Sequence, residues 1–368
     1  MTILHVLEPF ATGVSTAVVS IARELPEFTH IVIHGSRNWT ESTEKVKKRF
    51  PPGTVFVEWK HAGREINMIK DLKALRELML ILRPYSGRGE KKDKDRFVHL
   101  HSSKAGFLGR LACRLLGIKE VIYTPHCGAF VRTDISKLTR NLYYFFEWLA
   151  SCFGGRVVGC GASEAEIYRK LGKNTTYVSN GVKIRNDKSG MRNEEKDRDL
   201  ITFTGLATLQ KDPVFWSKVA YACADEAKKE GFSFCWVGDG PDAEVLKKEG
   251  IILTGWKSEG EVEKLLEESI IFFSAAAWEG LPYGVLEGMS SGCALVLRNV
   301  PGNRDLVIEG ENGRLFNTEE EAIKIFKEIL KDRKMLYAMG KRSREIAEKS
   351  FSLKQMGEGY RQIYRGIA

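Results

Sequence analysis

Two glutamates with seven residues between them carry the clearest chemistry of this chain. They lie in Ser274–Glu287, with the sequence Ser-Ala-Ala-Ala-Trp-Glu-Gly-Leu-Pro-Tyr-Gly-Val-Leu-Glu. The short apolar run Ile270–Phe273 precedes this segment and predicts a buried parallel strand. A helical pattern runs from about Pro282 to Ser291, and proline is tolerated in a first helical turn because its missing N–H would have no partner there. The segment is therefore predicted to be a strand, a loop and a helix N-terminus.

This predicted helix N-terminus combines groups that suit one kind of ligand. Free backbone N–H groups at a helix N-terminus attract phosphate. Glu279 lies before the helix and Glu287 inside it, and a carboxylate accepts hydrogen bonds from the neighbouring hydroxyls of a ribose or a sugar. The combination predicts a nucleotide-sugar site. The alternative interpretation is an ordinary surface glutamate followed by an ordinary helix glutamate.

The peptide Glu-Gly-Leu-Pro-Tyr-Gly-Val-Leu-Glu-Gly-Met, residues 279–289, resembles the signature of retaining glycosyltransferases of family 4, which have the GT-B fold. The resemblance covers nearly the whole chain, strongly in residues 200–316 and moderately in residues 1–182. It implies an α/β protein with two Rossmann-like parallel-sheet domains that face each other across a cleft. It also implies sugar transfer from a nucleotide diphosphate donor with retention of configuration, without a metal or another cofactor.

The length and the pattern of the chain agree with two domains. A chain of 368 residues is too long for one compact core, and strands that alternate with helical patterns predict parallel sheets. Asn180-Gly181 marks a turn and resembles the interdomain hinge of the family. We expect an acceptor-side domain over residues 1–181, a donor domain over 182–350, and a C-terminal helix over 351–368 that crosses back to the first domain.

The resemblance assigns roles to single residues. Glu287 is expected to bind the ribose hydroxyls and Glu279 the sugar ring, while Lys211 supplies a point charge suited to a diphosphate. The family has an arginine where this chain has Leu206, and we expect Arg304 to substitute for it. The backbone amides of residues 283–285 would stabilise charge on the departing diphosphate. The predicted catalytic residues are Glu279, Lys211 and His126. The predicted donor-binding residues are Gly13, Gly205, Gly238, Trp256, Leu281, Tyr283, Gly284, Val285, Glu287 and Arg304.

The first half of the chain offers a histidine and a glycine. His126 follows a predicted strand, and ligand sites of parallel sheets lie beyond the carboxyl ends of the strands. We expect His126 to hydrogen-bond a sugar hydroxyl or a phosphate; a histidine satisfied by the backbone is the alternative. Gly13 is predicted to turn the backbone tightly before a helix that begins at about Ser15. On another strand, His99 and His101 share a face.

The net charge of +9 is unevenly distributed. Residues 1–182 contain 28 Lys and Arg against 17 Asp and Glu, whereas the remaining residues contain 29 against 31. A basic first half predicts an anionic partner. We expect a lipid-linked or glycan acceptor and an anionic membrane surface, and no nucleic acid. The aromatic helix at residues 142–149 is interpreted as core rather than as a membrane contact, because its pattern is apolar nearly all round.

The cellular location and the absence of metal binding are predicted from the cysteines, the first residues of the chain and two acidic triplets. Seven scattered cysteines without a Cys-x-x-Cys pair indicate reduced thiols, and Met1-Thr2 runs directly into a predicted strand, so we expect no signal peptide. The expected location is the cytoplasm, with peripheral contact at the inner face of the membrane. The triplets Asp93-Lys94-Asp95 and Asp197-Arg198-Asp199 lie in charge runs, so we expect them to be solvated and not to bind a metal.

These observations favour metal-independent, retaining transfer of a sugar from a UDP- or GDP-sugar to a glycan or lipid-linked acceptor in cell-surface polysaccharide synthesis. A nucleotide-sugar epimerase or a phosphorylase on the same fold is one alternative. A non-catalytic nucleotide-sugar-binding protein is another, and Leu206 in place of arginine favours it. A nicotinamide dehydrogenase is disfavoured because the Gly-x-Gly-x-x-Gly fingerprint is missing.

Overall fold

The computed structural model describes residues 1–36, 42–63, 65–86, 96–171, 175–184 and 198–366. The chain divides into two compact units. The first unit contains Met1–Asn180 and Leu353–Ala368, and the second contains Gly181–Ser352. Of the two acidic triplets, Asp93-Lys94-Asp95 and Asp197 lie outside the described residues.

The first unit is built on a parallel sheet of seven strands. These are β1 Thr2–Leu7, β2 Thr29–His34, β3 Val55–Glu58, β4 Arg96–His101, β5 Val121–Thr124, β6 Arg156–Gly159 and β7 Thr175–Tyr177. Their order in the sheet is β3-β2-β1-β4-β5-β6-β7, and every neighbouring pair is parallel. The order reverses between β1 and β4, which is where ligands bind in open parallel sheets.

Six helices accompany this sheet before the chain leaves the unit. They are α1 Thr12–Glu24, α2 Thr43–Lys47, α3 Met68–Leu82, α4 Ser103–Leu116, α5 Lys137–Ser151 and α6 Ala162–Arg169. Helix α4 packs against both α3 and α5. The core between helices and sheet is aliphatic and aromatic, with Leu4, Val98, Leu100 and Tyr123 almost fully buried. Strands covered on both faces are rich in apolar residues, which is why the sequence pattern located them.

The second unit repeats the parallel arrangement with six strands. They are β8 Leu200–Thr204, β9 Ser233–Val237, β10 Ile251–Leu253, β11 Ser269–Ser274, β12 Ala294–Arg298 and β13 Gly313–Phe316. Their order is β10-β9-β8-β11-β12-β13, so the order reverses between β8 and β11. The helices are α7 Pro213–Lys229, α8 Glu259–Glu267, α9 Tyr283–Ser290, α10 Glu319–Ile329 and α11 Arg333–Ser350. The prediction of two parallel α/β domains is confirmed.

The final helix, α12 Leu353–Tyr364, belongs to the first unit, where it packs against α1. Two tyrosines of this helix are buried. The Tyr364 hydroxyl lies 2.7 Å from Nδ1 of His99, and the Tyr360 hydroxyl lies 3.5 Å from Oγ1 of Thr124. Arg361 donates to Glu27 at 2.7 Å. The return of the last helix to the first unit is therefore confirmed, and it covers the face of the sheet that carries His99.

The sequence predicts strands at Thr29–His34 and Val121–Thr124, which match β2 and β5, and it places most of the other strands to within a residue. It missed β7, which has three residues and too few positions to show a pattern. It also placed the start of α1 too late. The helix begins at Thr12, whose φ is 53°, and Gly13 lies inside the first turn. The prediction that Gly13 turns the backbone is wrong, because Thr12 adopts the left-handed conformation at that turn.

The aromatic helix α5 is not buried as the sequence predicted. Among its residues only Glu147, Ala150 and Ser151 are buried, whereas Phe145 and Trp148 are 48% and 46% exposed. The apolar pattern correctly indicated a helix, but an apolar sequence does not specify which neighbour covers each face. Among the described residues, no helix is both long enough and apolar enough to cross a bilayer.

Candidate active site

The N-terminus of α9 lies beside the end of β8, and glycine makes this approach possible. A Cβ on Gly284 would lie 2.6 Å from Oγ1 of Thr204, and a Cβ on Gly288 would lie 2.6 Å from the Phe272 ring. Both distances are shorter than real side chains tolerate, so the helix can pack this closely only with glycine at both positions. No side chain caps the N-terminus at Pro282. The N-terminus of α9 therefore lies close to the point where the strand order of the second sheet reverses.

Lys211 and Glu279 form an ion pair at this point of the second sheet. Lys211 follows β8 and Glu279 follows β11, so the two strands on either side of the reversal supply one charge each. Glu279 is 7% exposed and the Lys211 side chain 22% exposed. The pair joins Oε1 of the carboxylate to the ammonium. Oε2 of Glu279 forms no hydrogen bond with a described residue, so it is available to accept from a ligand.

Two hydrogen bonds bring the loops of this ion pair together. The amide of Ala277 donates to the Gln210 carbonyl at 2.8 Å, and the Gln210 side-chain amide donates to the Trp278 carbonyl at 3.1 Å. Asp212 then caps α7 by accepting from the Phe215 amide at 3.1 Å. Hydrogen bonds of its two neighbours, Gln210 and Asp212, thus hold Lys211 in position.

Glycines also allow the loops after β8 and β9 to touch. Gly205 has φ 149° and Gly238 has φ 139°, values in the region that favours glycine. A Cβ on Gly238 would lie 2.1 Å from the Gly205 carbonyl oxygen. The amide of Gly205 donates to the Val237 carbonyl at 2.9 Å. Close approach of backbone to backbone therefore requires glycine at 238, whereas Gly205 is favoured by its positive φ.

A concave surface of roughly 390 Å³ lies at the carboxyl ends of β9 and β10. Its lining includes Asp239, Pro241, Leu253 and Gly255. Trp256 follows directly after Gly255 and is 69% exposed. Trp256, a predicted donor-binding residue, is therefore adjacent in the chain to a lining residue of a surface that is large enough for a flat ring.

The other predicted donor-binding residues differ in what they present. The side chains of Leu281 and Val285 are buried, so only their backbone can reach a ligand, whereas Glu287 and Tyr283 are partly exposed. Arg304 is exposed and forms no ion pair with a described residue. Its loop is held in place at Gly302, where φ is 83° and a Cβ would lie 2.2 Å from the Gly280 carbonyl oxygen. Arg304 is thus carried by a loop that touches the loop of Glu279.

In the first unit, His126 follows β5 in an unusual backbone conformation. His126 and Cys127 have φ of 52° and 75°, which non-glycine residues rarely adopt. The buried carboxylate of Glu164 fixes this turn by accepting from the amides of Cys127 at 2.6 Å and Cys160 at 2.8 Å. Nε2 of His126 lies 3.0 Å from Nδ1 of His101. The alternative of a histidine satisfied by backbone is therefore wrong, because its partner is another histidine.

Comparison with known proteins identifies the family. Residues 185–346 match the family model of glycosyl transferases group 1, and residues 12–181 match that of the glycosyl transferase 4-like domain. The two matches together span most of the chain. The chain belongs to this family and is a glycosyltransferase of the GT-B fold, so the predictions of family and fold class are confirmed.

Two relatives and two solved structures illustrate the likeness. The UDP-Gal:alpha-D-GlcNAc-diphosphoundecaprenol alpha-1,3-galactosyltransferase of Escherichia coli is 27% identical over 82% of this chain and 81% of that protein. An uncharacterised 41.2 kDa protein in the cps region of Klebsiella pneumoniae is 26% identical over 99% of both chains. HepE of Anabaena in complex with UDP and glucose has a TM-score of 0.75 at 14% identity, covering 98% of each chain. Sucrose-phosphate synthase of Thermosynechococcus elongatus has a TM-score of 0.76 at 14% identity, covering 100% of this chain and 99% of that chain.

Because Gly238 packs directly on the backbone of Gly205, adding a single methyl group at residue 238 should strongly destabilise the protein. Gly238→Ala should lower the free energy of unfolding by about 2–4 kcal/mol, because it combines a disfavoured φ with overlap on a backbone oxygen. Chemical denaturation measures this change. Gly260→Ala is the control, since a Cβ there meets no atom within 4 Å, and alanine in a helix should raise stability by up to about 1 kcal/mol. Equal effects of the two substitutions would contradict the packing described here.

The buried histidines predict that the first unit is acid-sensitive. Burial lowers the pKa of His5, His99 and His101 well below the usual value, and lowers the pKa of His126 to about 4. The unfolded chain binds these protons near pH 6.5. Stability is therefore fully present above about pH 6.5 and is lost as the pH falls toward the folded-state pKa values, by about 1.4 kcal/mol per histidine between pH 7.5 and 5.5.

Hydrogen exchange followed by mass spectrometry at pH 7.5 and 5.5 measures this loss separately in each unit. After correction for the intrinsic exchange rate, amides of the first unit should lose protection at pH 5.5. The second unit is the internal control, because all seven histidines lie at or before residue 126. A first unit with unchanged protection at pH 5.5 would show that these histidines do not stay neutral for the reason given.

Proposed function

We propose that this glycosyltransferase moves a sugar from a UDP-sugar to a lipid-linked acceptor, with retention of configuration and without a metal, in cell-surface polysaccharide synthesis. The Escherichia coli relative uses UDP-Gal and a diphosphoundecaprenol-linked acceptor by its name, which supports both substrate classes. The HepE structure holds UDP and glucose on the same fold, which supports a UDP-sugar donor. UDP-galactose is therefore the first donor to test.

The main support for this proposal is the Lys211–Glu279 ion pair, which lies close to the N-terminus of α9. A departing diphosphate gains negative charge in the transition state, and an ammonium and helix amides held in advance stabilise such charge. Lys211 would then be shared between Glu279 and the diphosphate. Glu287, partly exposed on the same helix, is assigned to the ribose hydroxyls.

Retention is assigned to attack on the same face from which the diphosphate departs. The bond from the anomeric carbon to the donor phosphate oxygen breaks, the bond to the acceptor oxygen forms, and the acceptor proton passes to a donor phosphate oxygen. Glu279 is assigned to binding the sugar and not to covalent attack, since Oε1 is already paired with an ammonium. Oε2 accepts from a sugar hydroxyl in this assignment.

Helices α3 and α5 are proposed to contact an anionic membrane. Both helices expose large apolar side chains to solvent, and α4 packs between them. On α5 these are Leu138, Leu142, Tyr144, Phe145 and Trp148, and on α3 they are Met68, Ile69, Leu72 and Leu80. Exposed Lys73 and Arg76 on α3, together with Lys137 on α5, supply positive charge beside them. Apolar side chains flanked by basic residues are typical of helices that lie on anionic lipid.

A non-catalytic sugar-nucleotide-binding protein is the second candidate function. Leu206 favours it, because a partly buried leucine occupies the position where the family has a cation. The two candidates differ in turnover. A protein that binds UDP but releases none from UDP-galactose or other UDP-sugars, in the presence of a diphosphoundecaprenol-linked acceptor, would support this second candidate.

Removing the charge of Lys211 should slow sugar transfer. We expect Lys211→Ala to lower kcat/KM for UDP-galactose by about 100-fold or more, because one preorganised cation or donor contributes a factor of this size to charge stabilisation. Release of UDP measures turnover, and NMR of the product gives the anomeric configuration. An inverted product would contradict retention.

Lys218→Ala is the matched control for this experiment. Lys218 pairs with Glu319 at 3.0 Å in the same unit, and its side chain is 55% exposed. This variant removes one lysine and one ion pair, so it should leave turnover within about twofold, since exposed ion pairs contribute little. Lys211→Ala with unchanged turnover would show that the assigned site is wrong.

Replacing two aromatic residues of α5 should weaken membrane binding. The double variant Phe145→Ser and Trp148→Ser removes two side chains that are each worth about 1.5–3 kcal/mol when buried, so binding to phosphatidylglycerol vesicles should weaken at least about tenfold. Cosedimentation with the vesicles measures this binding. Tyr221→Ser, a 63% exposed aromatic of the second unit, is the control. Equal binding of wild type to neutral phosphatidylcholine vesicles would exclude the electrostatic part of the proposal.

A further inference from the structure

Four histidines of the first unit form an unbroken row of side-chain contacts. Nε2 of His126 lies 3.0 Å from Nδ1 of His101, and Nε2 of His101 lies 3.2 Å from Nδ1 of His5. Nε2 of His5 lies 3.1 Å from Nδ1 of His30, and Nε2 of His30 lies 2.9 Å from the Leu25 carbonyl oxygen. The histidine row, His30, His5, His101 and His126, thus crosses three adjacent strands and ends on the loop after β5.

The carbonyl at one end of the histidine row determines the direction of every hydrogen bond in it. A carbonyl only accepts, so Nε2 of His30 carries the hydrogen. A neutral imidazole has one N–H, so Nδ1 of His30 must accept and Nε2 of His5 must donate. By the same reasoning, Nδ1 of His5 accepts from Nε2 of His101, and Nδ1 of His101 must also accept. At the other end Nε2 of His126 donates, and Nδ1 of His126 keeps its lone pair.

This argument requires neutral rings, and the surroundings of the row keep them neutral. Burial lowers the pKa of His5 and His101 well below the usual value, and it also lowers that of His30. The ring of His99 lies beside His5 and His101, and repulsion between these rings opposes protonation of His101 further. Glu27 faces His30 and favours its charged form, but burial is the larger effect.

Nδ1 of His126 forms no hydrogen bond with a described residue, and the side chain is partly exposed beyond the carboxyl end of β5. We propose that His30, His5 and His101 are positioning residues that hold His126 in its Nε2–H tautomer, so that Nδ1 accepts a hydrogen bond from a ligand hydroxyl. A hydroxyl can donate to this lone pair, whereas an ionised phosphate cannot. Of the two ligand groups that the sequence left open, a hydroxyl is therefore selected. The assignment to a sugar hydroxyl rests on the proposed function.

Binding of a metal ion is the competing explanation for why His5, His99 and His101 lie close together. Ligand nitrogens of His5, His99 and His101 lie within 4.8 Å of one another, a spacing that could hold a metal. However, His99 is engaged through both nitrogens, with Nδ1 2.7 Å from the Tyr364 hydroxyl and Nε2 2.8 Å from Oγ1 of Thr124. Both nitrogens of His5 and His101 are engaged within the row. A metal would have to replace these bonds, so the geometry favours the row.

NMR of the full chain with ¹⁵N-labelled histidine tests the proposal without any sugar. The two tautomers give different ¹⁵N shifts, and the spectrum of His126→Gln assigns the signals of His126. At pH 7, His126 should be a neutral Nε2–H tautomer. An Nδ1–H tautomer or an imidazolium would overturn the proposal, and so would one equivalent of metal in the purified protein whose loss on treatment with a chelator changes these signals.

His30→Leu tests whether the far end of the row controls His126. The substitution removes the acceptor for His5, and a buried N–H without a partner is costly. Reversing every bond avoids this, so His126 should acquire an Nδ1–H, and KM for the sugar nucleotide should rise about tenfold with little change in kcat. His126 that keeps its Nε2–H in this variant would overturn the proposal. If His30→Leu does not fold, the tautomer of His126 in the wild-type spectrum is the test of the proposal.

Tyr364→Phe is the matched control for His30→Leu. It removes one hydrogen bond from the same buried face, at His99, but leaves every bond of the histidine row intact. The tautomer of His126 and KM should both stay as in wild type. Absence of sugar transfer together with the Nε2–H tautomer would contradict the proposed function but would still support the role of the histidine row. Failure of the proposed function and failure of the histidine proposal are therefore distinguishable.

Discussion

Close packing of neighbouring segments against glycine is the constraint on which the structure at the carboxyl ends of the second sheet's strands depends. At Gly238, Gly284 and Gly302, any Cβ would lie 2.1–2.6 Å from an atom of a neighbouring loop or strand. These contacts draw the segments after β8, β9, β11 and β12 into one small region. Lys211 and Glu279 meet in this region, where hydrogen bonds of Gln210 join the two loops that carry them. The position of the ion pair therefore depends on residues that are not themselves part of it.

The sequence predicted the sheets well because buried parallel strands form short runs that are rich in apolar residues. It also placed Glu279 and the start of α9 at the end of β11, since a motif that joins a strand, a turn and a helix leaves little local freedom. The ion pair between Lys211 and Glu279 was not predicted. It joins residues 68 positions apart, and it depends on the hydrogen bonds of Gln210, which no local pattern reveals.

Two predictions from the sequence about the first unit were wrong, and each error has a physical cause. A tight turn suggested glycine, but Thr12 adopts the positive φ, so residue type alone misplaced the start of α1. Similarly, periodicity identified α5 but could not show that several of its aromatic side chains are nearly half exposed. The histidine row lay beyond the sequence for a related reason. His5 and His30 come together with His101 only when strand order and register are known.

The return of α12 to the first unit has a consequence for biosynthesis. A ribosome makes residues 1–180 first, but the helix that covers His99 is encoded at residues 353–364. Until those residues emerge, the nascent first unit exposes a polar, imidazole-rich face and lacks the hydroxyl of Tyr364. The second unit, whose residues are contiguous from 181 to 352, can close completely before that. The N-terminal half of this protein is thus the last to mature during translation.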